Sequence, residues 1–118
     1  MPSGFLVAKE LAKIFSVISH PNRILIIKEL EFQERDVNYL VNMMNISQSR
    51  VSQHLSVLRS QNIIEERKEG RKVFYHLVEK KMAEWIFEGL KFLKNDFERK
   101  ENLISAVEKA EDLWKLKS

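Results

Sequence analysis

Between Ser47 and Ser60 the chain carries side chains that hydrogen-bond readily and have little bulk. Ser49, Ser52, Gln53, Ser56 and Ser60 share one face at helical spacing, with Gln48 and Arg50 at the leading end. Val51, Leu55 and Leu58 fall on the opposite face. Small hydroxyls let a helix backbone come close to a partner surface. A glutamine amide matches the donor and acceptor pair on adenine, and a guanidinium matches guanine or a phosphate. Ser47 is suited to cap this helix, and the helix N-terminus adds partial positive charge and free N–H groups for phosphate. This is the chemistry of a surface that meets nucleic-acid bases.

The charge pattern agrees. No Asp or Glu occurs from Val37 through Ile64. Between Ser47 and His76 there are six basic residues (Arg50, Arg59, Arg67, Lys68, Arg71, Lys72) and three acidic ones (Glu65, Glu66, Glu69). That excess equals the net charge of +3, because the rest of the 118 residues hold 14 bases and 14 acids. A surface that meets phosphate excludes carboxylates, whereas an ordinary solvated helix in a chain this charged would carry some.

The elements that must position these residues are mostly helical. Phe5 to Ile18 is predicted as an amphipathic helix on Phe5, Ala8, Leu11, Ala12, Phe15 and Ile18. Pro21 opens a second helix reaching about Glu31, burying Ile24, Leu25, Ile27 and Leu30. Phe32 to Arg35 reads as a connector. Asp36 caps a short third helix with Val37, Leu40, Val41 and Met44 inward, and Asn45-Ile46 turns into the serine-rich helix, which ends near Gln61. Ile63–Lys68 and Lys72–Leu77 read as two strands joined by the tip Glu69-Gly70-Arg71. Helical periodicity returns at Glu79, with a break expected at Asn95-Asp96. The fold class is mainly α with a small β-hairpin: a winged helix-turn-helix with N- and C-terminal dimerisation helices. Residues 1–95 make the DNA-binding domain with its dimerisation helices, and 96–118 a C-terminal helical extension.

Other classes fit less well. There is no recognisable Ser–His–acid or Cys–His set and no Gly-rich phosphate loop, so an enzyme is not expected. Absence of cysteine removes disulfides, thiolate metal sites and thiol switches. No apolar run approaches a membrane span and no signal-peptide pattern opens the chain, so a cytoplasmic protein is expected. The three histidines, His20, His54 and His76, show no metal-ligand spacing. His54 is read as a helix-packing or DNA-edge residue, Arg23 as a partner for a backbone carbonyl or nearby acid, and Trp85 and Trp114 as core or dimer anchors. Gly89 lies inside a helical pattern, where a close helix crossing would explain it.

Three segments together resemble the arsenic-repressor (ArsR/SmtB) family of winged-helix regulators. They are Ile18-Ser19-His20-Pro21-Asn22-Arg23-Ile24, Ile46 through Leu55 with Leu58-Arg59, and Arg67 through Leu77. The resemblance spans about Leu11 to Leu93 and implies a homodimeric repressor that pairs through the first and last helices of the shared domain. It implies DNA contact chiefly from Gln48, Ser49, Ser52 and Gln53, with support from the wing. Asn45 stands where relatives often have Gly, a mild departure since Asn also tolerates the left-handed conformation. The sensor positions depart further. Asp36 and Asn38 occupy the family's Cys-x-Cys positions. Glu79, Lys81, Phe92 and Asn95 occupy its second metal site, where lysine and phenylalanine cannot replace imidazoles.

The expected DNA-binding set is therefore Ser47, Gln48, Ser49, Arg50, Ser52, Gln53, His54, Arg59, Lys68, Arg71 and Lys72. The expected dimer interface is Phe5, Leu11, Phe15, Ile18, Met82, Ile86, Gly89, Leu90 and Leu93, too apolar for so small a domain to hide alone. The expected partners are a double-stranded DNA operator and a second copy of the chain, with no membrane, no metal and no cofactor; the effector is unknown. The alternative function is a winged-helix module for protein–protein assembly that binds no operator.

Overall fold

The structure, a computed structural model, describes residues 2–96 and 101–116. The chain divides into two compact units, Met1–Glu79 and Lys80–Ser118.

The first unit begins with α1 (Ser3–Ile18), followed by α2 (Pro21–Glu29). Pro21 is at the start of α2 as expected, and His20 caps it: its Nδ1 accepts the Asn22 N–H at 3.0 Å. The inward face of α2 differs from the sequence reading. Ile26 is fully buried with Ile27 and Leu30, while Leu25 is 42% exposed and Ile24 half-buried. Ile24-Leu25-Ile26-Ile27 is an unbroken apolar run, and such a run carries no phase. The helix also stops at Glu29, two residues early, as the Leu30 N–H turns back to the Ile26 and Ile27 carbonyls. Glu29 is buried and accepts the Tyr39 hydroxyl at 2.7 Å, tying α2 to the third helix.

Arg35–Asp36 forms a two-residue strand, β1, in the segment read as a connector. Two residues are too few to show alternation, so only the partner strand reveals it. Asp36 also caps α3 (Val37–Met44), its Oδ1 accepting the Tyr39 N–H at 2.9 Å. Asn45 ends α3 in the left-handed conformation, φ 54° and ψ 44°, and its N–H reaches the Val41 carbonyl at 2.9 Å. That turn sets the angle of α4 (Gln48–Ser60), whose Val51, Leu55 and Leu58 are buried as predicted. Truncating one of these to Ala typically costs about 2–5 kcal/mol. Asn62, also at positive φ, leads out of α4 into β2 (Ile64–Glu69).

β2 pairs antiparallel with β3 (Lys72–Leu77), from Ile64 opposite Leu77 to Glu69 opposite Lys72. The loop is therefore two residues, Gly70-Arg71, and Gly70 takes φ 61°, as a tight hairpin requires. β1 adds to the free edge of β3, giving the order β1-β3-β2. Tyr75 and Leu77 are buried on one face, as the alternation predicts.

The second unit is a pair of antiparallel helices, α5 (Lys81–Asp96) and α6 (Glu101–Leu116). Phe87 and Trp114 meet with ring centroids 5.7 Å apart, and Lys94 pairs with Glu111 at 3.3 Å. These contacts exclude one continuous straight helix. Helix α5 ends at Asp96, the second residue of the expected break, and the connection to α6 lies outside the described residues. On α6, Val107 and Trp114 are buried, while Leu113 is 58% exposed. The Leu103 and Ile104 side chains and Phe97 also lie outside the described residues. No described helix is long and apolar enough to cross a membrane.

Candidate nucleic-acid interface

The α4 surface is divided as its sequence requires. Gln48, Ser49, Arg50, Ser52, Gln53, Ser56, Arg59 and Ser60 are exposed, as is the cap Ser47, whose hydroxyl accepts the Arg50 N–H at 3.2 Å. The expected reading residues Gln48, Ser49, Ser52 and Gln53 all stand on this solvent side. His54 is different. It is half-buried against α2, its ring 4.4 Å from that of His20 and its Nε2 3.5 Å from Asn22 Nδ2. That position serves the packing role read for it.

The leading end of α4 meets the wing. A groove of about 200 Å³ is lined by Gln48, by Arg71, Lys72 and Val73 of the wing, and by Asp36, Val37 and Asn38 at the start of α3. Nothing in the sequence pattern pointed to α3 here. It is brought in because Asp36 belongs to the sheet through its pairing with Phe74.

The six cations of this region split into two groups. Arg67 is held by Glu34, with Nη2 to Oε1 at 2.7 Å and Nε to Oε2 at 2.9 Å, and by Glu69 at 2.8 Å. Its guanidinium also lies 4.9 Å from the Phe74 ring centre. These hydrogen bonds raise the Arg67 pKa further and hold the Glu34 carboxyl below its ordinary value. Arg59 pairs with Glu66 at 3.2 Å and fastens α4 to β2. Arg50, Lys68, Arg71 and Lys72 are exposed and form no ion pair among the described residues. Their charge is available to an anion from outside.

Arg23 has neither of the partners expected for it. Its Nε is buried without a hydrogen bond, and it forms no ion pair among the described residues. The aligned sensor positions are otherwise engaged or exposed: Asp36 caps α3, Asn38 is exposed and Phe92 is 70% exposed. Among the described residues no group of three or more His, Asp or Glu side chains is placed to hold a metal.

The expected dimer faces are open in the single chain. No residue of α1 is buried, and Phe5, Leu11 and Phe15 are each at least 40% exposed. Leu6 and Val7, which the helical stripe omitted, are exposed as well. Ile18 is half-buried. On α5, Met82, Ile86 and Leu90 are half-buried, while Gly89 and Leu93 are exposed. Among the described residues, nothing beyond its chain neighbours and the nearby backbone of its own helix lies within 4 Å of where a Gly89 Cβ would sit. A close crossing within the chain therefore does not explain that glycine.

Comparison with known proteins agrees with this geometry. Residues 20–66 match the family described as bacterial regulatory protein, arsR family. The chain is 38% identical over 72 residues to a transcriptional repressor SmtB homolog of Synechocystis, covering 61% of this chain and 54% of that protein. It is 35% identical over 79 residues to the biofilm growth-associated repressor of Xylella fastidiosa, covering 67% and 69%. The matched length is thus between about half and two thirds of these curated relatives. The crystal structure of NolR from Sinorhizobium fredii superposes with a TM-score of 0.69 at 31% identity, covering 79% of this chain and 92% of that one.

Proposed function

The chain belongs to the arsR family of bacterial regulatory proteins, and on that premise we propose that it is a sequence-specific DNA-binding repressor acting as a homodimer on an inverted-repeat operator. The observation that carries this reading is the acid-free exposed face of α4 beside a wing tip whose cations have no partner among the described residues. Gln48, Ser49, Ser52 and Gln53 read base edges in the major groove. Lys68, Arg71 and Lys72 anchor the sugar-phosphate backbone and carry no sequence information themselves. Arg50 serves the leading end of the helix.

Arg71 and Lys72 border the groove that Gln48 also lines, so that the wing fixes the register in which the helix reads. Phe5, Leu11 and Phe15 on α1, and Gly89 and Leu93 with their neighbours on α5, are the surfaces a second copy covers. A two-fold pair places two reading helices on half-sites about 10 bp apart. The regulator does not sense zinc, nickel, cobalt or arsenite, because the family's ligand positions hold Asp36, Asn38, Lys81 and Phe92. Residues 96–118 extend the dimer.

Selection of bound duplexes from a randomised pool, with sedimentation of the same sample, tests the reading. An inverted repeat is expected, together with a species about twice the 14.0 kDa chain mass. A monomer that selects no sequence would favour the protein-assembly module instead.

A further inference from the structure

Helix α4 has two flanks besides its reading face. At 100° per residue, Gln48 and Arg59 lie on one side of the buried Val51-Leu55-Leu58 stripe, and Arg50 and His54 on the other. The first flank turns to the wing, where Gln48 lines the groove with Arg71 and Arg59 reaches Glu66. The second turns to α2. There the His54 ring packs against His20 and Asn22, and Arg23 and Arg50 act on it electrostatically. No carboxylate is among the groups acting on His54; α1 also packs on α4, and none of its charged side chains is among them. Burial first, then His20, Arg23 and Arg50, hold the His54 pKa below the ordinary imidazole value. Beside it the Arg23 guanidinium has its Nε buried and unbonded. The two guanidinium groups beside these rings have no carboxylate among the groups acting on His54, and an anion relieves their mutual repulsion.

The geometry points to a second phosphate site on the α2 flank of α4, in which Arg23, His20 and His54 receive a backbone phosphate of the bound DNA on the side opposite the wing. This site rests on the DNA-binding reading above. Arg23 supplies the permanent charge. His20 accepts the Asn22 N–H through Nδ1, so its neutral ring carries the proton on Nε2 and is a donor there. His54 is the ring assigned to take up a proton. Its Nε2 faces the Asn22 amide, which by rotating presents its oxygen instead of its nitrogen.

A phosphate beside His54 favours the charged ring, and by reciprocity the charged ring favours phosphate. DNA affinity should therefore rise as pH falls through the His54 pKa of the complex, and level off below the His54 pKa of the free protein.

The test is equilibrium binding of the full chain to its selected duplex and to a random duplex, across salt and from about pH 7.5 to about 5.5, the range of imidazole titration. Arg23→Gln should weaken both duplexes by the same factor and reduce the slope of log affinity against log salt by about one. Arg23→Lys should retain the slope, and His54→Gln should flatten the pH dependence. Melting curves verify that each variant is folded. A wild-type salt slope in Arg23→Gln overturns the site. Equal loss in Arg23→Gln and Arg23→Lys marks a packing role and overturns it too. A pH dependence surviving in His54→Gln removes His54 from it. If the wild-type chain binds no duplex, the DNA-binding reading itself fails. If it binds and selects a sequence but ignores Arg23→Gln, only this site fails.

Discussion

The base and the tip of the wing carry the same kind of residue and use it in opposite ways. At the base, Arg67 is clasped by Glu34 and by Glu69 from the tip, and His76 lies 3.7 Å from both Glu34 and Glu65. At the tip, Lys68, Arg71 and Lys72 have no internal counter-charge among the described residues. The base uses its charges to hold the hairpin to the segment before β1. The tip leaves its charges for something the chain does not contain. A count of basic residues treats the two alike, so net charge is a poor guide to which cations reach a ligand.

The contrast can be tested from the reading face outward. Gln48→Ala should cost the selected duplex on the order of 1–3 kcal/mol and leave random DNA nearly unaffected, as competition binding would reveal. Equal loss on both would make Gln48 an anchor and move the reading face elsewhere. Arg71→Ala should weaken all sequences alike and lower the salt slope by about one, measured by salt titration. If it instead abolishes sequence preference, the division between reading helix and anchoring tip is wrong.

Arg67→Ala should leave the salt slope unchanged and lower the melting temperature slightly, since exposed pairs contribute little. A slope reduced as much as in Arg71→Ala would erase the distinction between base and tip. The smallest effect concerns acid. The Glu34 carboxyl is held below its ordinary value by the Arg67 hydrogen bonds, so its contribution is complete above about pH 4.5, the ordinary carboxylate value, and is lost as pH falls through the lowered one. Thermal melts of wild type and Glu34→Gln should therefore differ at neutral pH and converge below that window.

Much of the local structure of the candidate interface was legible from sequence because local chemistry defines it. Ser47, Asn45 and Gly70 mark a cap, a turn and a hairpin loop through conformations each residue favours, and each does so in the structure. The three-residue inward face of α4 follows from spacing alone. What was not legible depends on partners far along the chain. Glu34 and Arg67 stand 33 residues apart, and Asn22 and His54 stand 32 apart. No periodicity relates such pairs, so Arg67 looked like a free cation and the meeting of His20 with His54 was invisible. The phase of α2 failed for the opposite reason, because four successive apolar residues fit every phase.

Asp36 joins two mechanical parts. Its backbone is paired in the sheet opposite Phe74, its carboxylate begins α3, and it borders the groove shared by Gln48 and Arg71. A two-residue strand persists only while the structure around it does, so the wing and the helix pair have few ways to move independently. The orientation of the tip and α4 is then settled at folding, before the proposed DNA partner arrives. Binding need not freeze a loose hairpin against the duplex, and the entropy that such freezing removes from affinity is largely avoided.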